Sequence, residues 1–275
     1  MNPVRLRQFT LGGAAPLVLI AGPCVIESRD HALMMAQKLR ELTNRLGLPF
    51  VFKASYDKAN RSGVSSPRGP GLERGLEILS EIRRVVDVPV LSDIHTELQA
   101  APAGAVLDLV QIPAFLCRQT DLLAAAAKTG KPVNVKKGQW MAPWDMKGVV
   151  EKLHHFGCRE ILLTERGSSF GYNRLVTDLR ALSIMRSFGC PVVFDATHSA
   201  QLPGGLGEVS GGERQHVAAL ARGAVGAGVD ALFLEVHDDP DHALSDGPNM
   251  LPLRELEPLL RQVMALDRAV REFAF

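Results

Sequence analysis

The residue types that most strongly suggest chemistry in this sequence are one thiol, one imidazole and two carboxylates. Together they make a ligand set for a borderline divalent metal ion. The residues are Cys24, His198, Glu235 and Asp246. They lie far apart in the chain, so they can form one site only if the fold brings them together. Each also has an ordinary alternative, because a cysteine is often a packed thiol and a lone histidine is often a hydrogen-bonded core residue.

Cys24 directly follows the short apolar run LVLIAG (17–22) and could be a core thiol, a lipid-attachment cysteine, or a metal ligand or nucleophile. The lipid-attachment alternative is disfavoured because the run is short and Pro23 stands where that signal has a small residue. We therefore expect no processed N-terminus. The remaining cysteines are expected to be core or helix thiols: Cys117, Cys158 and Cys190.

Three cations lie near the carboxyl ends of three other apolar runs: Lys53, Lys136 and Arg166. If they are buried together they repel one another unless an anion joins them, and a phosphate or carboxylate substrate is such an anion. The alternative is that each forms an ion pair with a nearby acid: Glu165, Asp93 or Asp195.

A basic loop follows the second apolar run, with the sequence DKANRS (57–62) and then GVSSPRGPG (63–71). It is either a solvated basic loop or a second anion site. In the second case Arg61 and Ser62 hold a phosphate, and Lys58 and Asn60 point inward to hydroxyl groups. The glycine-rich segment QLPGGLGEVSGG (201–212) is either a flexible connection or a lid that closes over the site.

The elements that must position these residues follow a pattern that repeats eight times. Short apolar runs alternate with stretches of helical periodicity, which indicates parallel strands covered by helices on the outside. The runs cover 17–22, 50–55, 88–94, 109–113, 132–137, 160–167, 191–198 and 231–237. The helical stretches cover 31–47, 71–86, 120–130, 145–157, 174–189, 213–228 and 253–273, with a weaker one over 96–104.

Eight such units predict a single-domain (β/α)₈ TIM barrel over 17–275, with residues 1–16 as a short N-terminal cap. A doubly wound sheet is the alternative, but no GxGxxG follows the first run and no GxxxxGK[ST] occurs. In a barrel the carboxyl ends of the strands surround one cavity, and strand 8 lies beside strands 1 and 7. Closure would therefore bring Cys24, His198, Glu235 and Asp246 to one point.

The carboxyl ends of the runs carry polar side chains that alternate between faces with period two. Lys53 and Ser55 share a face, as do Asp93 with His95 and Asn134 with Lys136. Gln111 ends another run. These residues predict a polar cup at one end of the barrel.

Composition excludes several classes of function. The 31 basic and 30 acidic residues give no field that favours nucleic acid, and 5% aromatic residues leave little surface for base stacking. No apolar run approaches the roughly 20 residues that span a bilayer. Four cysteines without CxxC spacing indicate reduced thiols, so we expect a cytoplasmic protein without nucleic-acid or membrane partners.

Several motifs together resemble the 3-deoxy-D-manno-octulosonate 8-phosphate synthase family. They are IAGPCVIES, FKASYDKANRS, QIPAFLCRQTDLL, NVKKGQ, TERGSSFGY, FDATHS and SDGPN. The resemblance runs from about residue 17 to residue 265. It implies a (β/α)₈ homotetramer that condenses phosphoenolpyruvate with D-arabinose 5-phosphate and releases phosphate, in the biosynthesis of the lipopolysaccharide keto sugar. The related 3-deoxy-D-arabino-heptulosonate 7-phosphate synthases use erythrose 4-phosphate and typically carry KPRTS where this chain has KANRS (58–62), so the loop favours the five-carbon sugar.

The resemblance also implies residue roles. The phosphoenolpyruvate site would be Lys53, Ser55, Gln111, Lys136 and Arg166. The arabinose 5-phosphate site would be Lys58, Asn60, Arg61 and Ser62. Arg118 would reach the sugar phosphate of a neighbouring subunit. Candidates for catalysis and proton transfer are Lys58, Asp93, His95, Lys136, His198 and Asp246.

The family divides at the position of Cys24, where metal-independent members carry asparagine. The cysteine therefore implies the metal-dependent class, with one divalent ion (Zn, Fe, Mn, Co or Cd) per subunit on Cys24, His198, Glu235 and Asp246. A covalent role for the thiol is not needed in this reaction. Two alternatives stay open: the erythrose 4-phosphate synthase, and a barrel that binds sugar phosphates without catalysis.

Overall fold

The computed structural model describes residues 1–61, 63–205 and 211–273. Within these ranges eight parallel strands pair in chain order, and the last also pairs with the first, so the sheet closes on itself. The strands are β1 Val18–Gly22, β2 Phe50–Lys53, β3 Val90–Asp93, β4 Leu109–Ile112, β5 Val133–Lys136, β6 Ile161–Glu165, β7 Val192–Asp195 and β8 Ala231–His237. The predicted (β/α)₈ barrel is confirmed, and the doubly wound sheet is wrong because an open sheet would leave two edge strands unpaired.

Eight helices of seven residues or more alternate with these strands in the described ranges. They are α1 Arg29–Leu46, α2 Leu72–Val85, α3 Glu97–Val106, α4 Thr120–Lys128, α5 Met146–His155, α6 Arg180–Arg186, α7 Val217–Gly226 and α8 Leu253–Glu272. None of them is both long and apolar enough to cross a membrane. The predicted helix over 174–189 begins six residues late, because Leu175–Val176 instead pairs with Ser168–Ser169.

Helix α1 shows how the local sequence sets these bounds. The Ser28 hydroxyl accepts the backbone N–H of His31 and caps the first turn. Gly47 ends the helix with φ 67°, a left-handed conformation that glycine adopts without a steric penalty. Met35 and Leu39 are buried on the face that packs against the barrel.

Two apolar layers follow from the alternation of side chains along the strands. The inner layer fills the amino-terminal half of the barrel and consists of Val18, Ile20, Val51, Leu91, Leu109, Leu162, Val193, Ala231 and Phe233. An antiparallel hairpin, Val4–Leu6 with Phe9–Leu11, packs against this layer. The strand residues between these positions face outward and pack against the helices. Side chains thus fill the amino-terminal half of the barrel interior, and a large open cavity forms at the carboxyl ends of the strands.

The turn after β1 is fixed by a close approach of two strands. On one side of β1, Gly22 pairs with Glu235 of β8. On the other side, a side chain at Gly22 would collide with the backbone carbonyl of Lys53 on β2, so only glycine fits at this position. The turn therefore directs Cys24 toward the ends of β2 and β8.

Candidate active site

A cavity of about 950 Å³ opens at the carboxyl ends of the strands, where the sequence predicts the polar cup. Most of the predicted site residues line it: Lys53, Ser55, Lys58, Asn60, Arg61, Asp93, Gln111, Lys136, Arg166, His198, Glu235 and Asp246. Cys24, His95 and Arg118 do not line it. Cys24 is buried behind the wall, His95 lies behind Asp93, and Arg118 is exposed on the surface.

Two of the predicted cations are buried at the bottom of the cavity and are held by carboxylates. The Lys53 ammonium donates to Glu235 Oε1 at 2.6 Å and to the Cys24 carbonyl at 2.9 Å. The Lys136 ammonium donates to Asp195 Oδ2 at 2.5 Å. Both nitrogens lie over the ring of Phe233, at 5.6 and 3.8 Å from its centroid. The ion-pair alternative thus holds for both lysines, although the partner of Lys53 was not among the predicted acids.

Arg166 is the cation with unused hydrogen-bonding capacity. Its Nη2 donates to Gln201 Oε1 at 2.9 Å, whereas Nη1 is buried and has no hydrogen-bond partner within the described ranges. Glu165 faces away from the cavity, where it accepts the backbone N–H groups of Arg166 and Gly167. It therefore shapes the turn that directs Arg166 inward.

Burial destabilises the positive charges in this region. It lowers the pKa of both Arg166 and Lys136, and the nearby Asp195 carboxylate offsets only part of the effect. The neighbouring Lys53 ammonium lowers the pKa of Lys136 further. A bound anion would stabilise these cations and could use the free Nη1 of Arg166.

Neutral and acidic side chains complete the floor. Asn134 donates to Gln111 Oε1 at 3.0 Å and accepts from Thr164 at 2.6 Å. On another wall Asp93 accepts the Ser55 hydroxyl at 2.5 Å and lies 2.9 Å from His95 Nε2. These hydrogen bonds hold Gln111 and Ser55 in fixed orientations before any substrate enters.

Three of the four predicted metal ligands lie close together, as closure of the barrel requires. One ligand atom from each of Cys24, Glu235 and Asp246 lies within 4.8 Å of the others, and Cys24 Sγ is 3.1 Å from Asp246 Oδ2. His198 is outside that mutual group, but its Nε2 lies 3.6 Å from Glu235 Oε2. His198 sits on a single helical turn, Ala196–Ser199, that Asp195 caps.

The donor atoms fit a divalent cation. Glu235 Oε2 is buried and has no hydrogen-bond partner in the described part of the chain. The ring Nδ1 of His198 lies 2.7 Å from Asp195 Oδ2, so this carboxylate favours a proton on Nδ1. The lone pair of Nε2 then faces Glu235. Burial, followed by the charges of Asp246 and Glu235, raises the pKa of the Cys24 thiol, so a cation is needed to hold the thiolate.

Comparison with known proteins assigns the family. A family model described as the DAHP synthetase I family matches residues 2–272. The chain belongs to this family. Relatives named 2-dehydro-3-deoxyphosphooctonate aldolase include those of Trichlorobacter lovleyi (60% identical over 95% of this chain and 96% of the relative), Desulfosudis oleivorans (59% over 99% and 98%) and Geobacter metallireducens (59% over 98% and 98%). The name is a synonym of the synthase that the motifs resemble, so that resemblance is confirmed.

The basic loop of this DAHP synthetase I family member forms the rim of the cavity. Lys58 points inward, with its nitrogen 3.8 Å from Glu235 Oε1, whereas Asn60 is exposed on the rim. The Arg61 guanidinium donates to the carbonyls of Pro67 and Leu244 at 2.9 and 3.2 Å. Ser62 lies outside the described residues.

The predicted lid is only partly within the described ranges, since residues 206–210 fall outside them. Its two ends pair as short strands, Gln201–Leu202 with Gly211–Gly212. The Gln201 amide also contacts Asp246 Oδ1 at 3.3 Å, in addition to its bond with Arg166. The described ends of this segment therefore border the site.

Two contributors were not assigned a role from the sequence: Gln201 and Phe233. Asp195 was named there as a candidate ion-pair partner, and it is the partner of Lys136. Phe233 gave no signal, because an aromatic residue within an apolar strand is indistinguishable from ordinary core.

Proposed function

We propose that this protein condenses phosphoenolpyruvate with D-arabinose 5-phosphate and water to give 3-deoxy-D-manno-octulosonate 8-phosphate and inorganic phosphate. The observation that carries the proposal is the distribution of charge in one cavity. Buried cations, with the unpartnered Nη1 of Arg166, occupy the bottom, and Arg61 occupies the rim. Two separate cationic ends suit two phosphorylated substrates.

In the proposed reaction C3 of phosphoenolpyruvate forms a bond to the aldehyde carbon of the sugar. C2 becomes electron-poor and takes the oxygen of water, and the hemiketal phosphate then loses phosphate by cleavage of the C2–O bond. Lys53, Lys136 and Arg166 bind the carboxylate and phosphate of the enol substrate. Glu235, Asp195 and Gln201 hold these cations in place beforehand, so little reorganisation is needed during the reaction.

Two proton transfers accompany these bond changes. The aldehyde oxygen gains a proton as its carbon is attacked, and the water loses one as it adds to C2. Lys58 is placed to donate at the aldehyde oxygen, since its ammonium lies beside Glu235 within the cavity. Asp93 lines the cavity with His95 directly behind it, and this pair is placed to accept a proton from water.

We further propose one divalent ion per subunit, Zn, Fe, Mn, Co or Cd, held by Cys24, His198, Glu235 and Asp246. The free lone pair of His198 Nε2 and the unpartnered Glu235 Oε2 support this set. Such an ion would supply Lewis acidity toward a substrate oxygen. The proposed assembly is a homotetramer in which the exposed Arg118 contacts the sugar phosphate in a neighbouring subunit.

Phosphate release by the purified protein tests the proposal. With phosphoenolpyruvate present, we expect release to depend on arabinose 5-phosphate and to be at least about tenfold slower with erythrose 4-phosphate. Faster release with erythrose 4-phosphate would favour the heptulosonate synthase. No release with either sugar, from protein supplied with each candidate metal, would favour a barrel that only binds sugar phosphates.

A further inference from the structure

A second group of metal-binding residue types lies near the carboxyl end of β8, outside the cavity lining. Ligand atoms of Glu27, His31 and His237 lie within 4.8 Å of one another, and His237 is buried. The two imidazole rings are in contact, with centroids 4.6 Å apart. By residue type alone this group resembles a metal site as closely as the Cys24 group does.

The protonation of His237 distinguishes the two groups. The backbone N–H of Asp239 donates to His237 Nδ1 at 2.9 Å, so Nδ1 carries the lone pair and Nε2 carries the proton. A neutral histidine that ligates a metal through Nε2 needs the opposite arrangement, which His198 has. His237 Nε2 lies 3.2 Å from Glu27 Oε1, a close polar contact without hydrogen-bond alignment in the described part of the chain.

Glu27 joins His237 to the loop that carries two neighbours of the Cys24 thiol. The same Oε1 accepts the backbone N–H of Leu244 at 2.9 Å. The next two residues, Ser245 and Asp246, lie 3.0 and 3.1 Å from Cys24 Sγ. The position of this loop therefore determines where Asp246, one of the proposed metal ligands, lies relative to Cys24.

The Leu244 peptide also reaches the rim of the cavity. Its carbonyl accepts the Arg61 guanidinium at 3.2 Å, so one residue links Glu27 on one side to Arg61 on the other. The loop needs such support because Asp246 has φ 52°, a left-handed backbone that non-glycine residues rarely adopt. A side chain at Gly247 would also collide with the carbonyl of Pro240, so the loop has little room to shift.

We propose that Glu27, held beside His237, is a positioning residue that fixes the Leu244 peptide. It thereby places Asp246 against Cys24 and Arg61 at the rim. The role rests on the proposed function, because it supports both the metal site and the sugar-phosphate site.

The test compares Glu27→Ala with Glu27→Gln, whose amide oxygen can still accept the backbone N–H of Leu244. Glu81→Ala is the matched control, because it removes a carboxylate that binds Arg29 on the outside of the barrel. We measure Co²⁺ affinity from the thiolate charge-transfer band, and KM for each substrate. For Glu27→Ala we expect about tenfold weaker Co²⁺ binding and about tenfold higher KM for arabinose 5-phosphate, with KM for phosphoenolpyruvate within about twofold of wild type. Glu27→Gln and Glu81→Ala should match wild type.

Amide hydrogen exchange gives a readout that is independent of metal and activity. Exchange at Leu244 should be faster in Glu27→Ala, and in His237→Phe, which keeps a ring but removes the polar contact of Nε2 with Glu27. The His237 variant keeps the proposal testable if Glu27→Ala does not fold. Unchanged exchange in both variants, or a Glu27→Gln protein as impaired as Glu27→Ala, would overturn the inference. Faster exchange at Leu244 in the two variants, together with no phosphate release by the wild type, would overturn only the proposed function.

Discussion

Replacing Lys53 with methionine tests whether the Lys53 ammonium and a divalent ion compete for the same carboxylate. Methionine keeps most of the length of the side chain and removes the charge. Lys53 Nζ lies 2.6 Å from Glu235 Oε1, and both side chains are 1% exposed. At that distance the attraction is about 6 kcal/mol for an effective dielectric constant of 20. Desolvation of the ammonium offsets part of it, and losing one partner of a buried pair costs about 3–5 kcal/mol.

A second cation keeps the loss near the lower end of that range, because Lys58 Nζ lies 3.8 Å from Glu235 Oε1. Burial alone would raise the pKa of Glu235, but the nearby cations, Lys53 foremost, outweigh it and hold that pKa below its usual value. We therefore expect a loss of about 3 kcal/mol in chelator-containing buffer, or about 6 °C in Tm for a chain of this size.

The affinity for a metal ion should increase in the same variant. Without Lys53, a metal ion that binds Glu235 does not have to displace an ammonium group. Part of the stability lost in the variant therefore returns when the metal ion binds. A return of about 1.4–2.8 kcal/mol corresponds to Zn²⁺ affinity that is tenfold to a hundredfold tighter. Thermal unfolding with and without chelator, and calorimetric titration with Zn²⁺, measure the two effects.

Lys136→Met is the matched control. Lys136 is also buried and ion-paired, but its partner Asp195 is outside the Cys24 group and also accepts from Thr197 and His198. It should destabilise the protein without tightening Zn²⁺ binding. Wild-type or weaker Zn²⁺ affinity in a folded Lys53→Met protein would refute the competition.

Three further perturbations test other parts of the site. Cys24→Asn should remove thiolate ligation yet leave activity that chelators do not abolish; a folded but wholly inactive variant would argue against the metal-dependent class. Arg61→Ala should raise KM for the sugar phosphate about 30-fold, from loss of a charge-assisted contact of about 2 kcal/mol, with little change for phosphoenolpyruvate; equal effects would mean that the two anion sites are wrongly divided. Burial lowers the pKa of His95, but Asp93 outweighs it and raises that pKa overall, so the pair stabilises the fold fully below the pKa of the unfolded histidine. The unfolding free energy of wild type minus that of His95→Gln, from urea titrations, should therefore shrink as the pH rises above the ordinary histidine pKa of about 6.5 and through the raised pKa of folded His95; a constant difference would contradict the pairing.

The strand and helix pattern was predictable because it depends on local periodicity. All eight strands lie within the predicted apolar runs, and Ser28 caps α1 through its own hydroxyl. Helix α6 was predicted to begin six residues too early, because the pairing of Leu175–Val176 is a contact that helical periodicity does not record.

The site was predictable as a set of residue types but not as a set of contacts. Barrel closure placed Cys24, Glu235 and Asp246 within 4.8 Å of one another, as the strand order required. The pairing of Lys53 with Glu235, by contrast, depends on which strands adjoin and how far each side chain reaches.

The sequence by itself determined the eightfold alternation, the inward phase of the polar strand ends and the choice of cysteine at position 24. Only the tertiary structure decided the surroundings of the imidazoles, which make His198 Nε2 a potential ligand and His237 Nδ1 a hydrogen-bond acceptor. Sequence periodicity follows from the geometry of one strand or helix. A proton's position on an imidazole is instead set by whichever donor or acceptor the fold places beside each ring nitrogen.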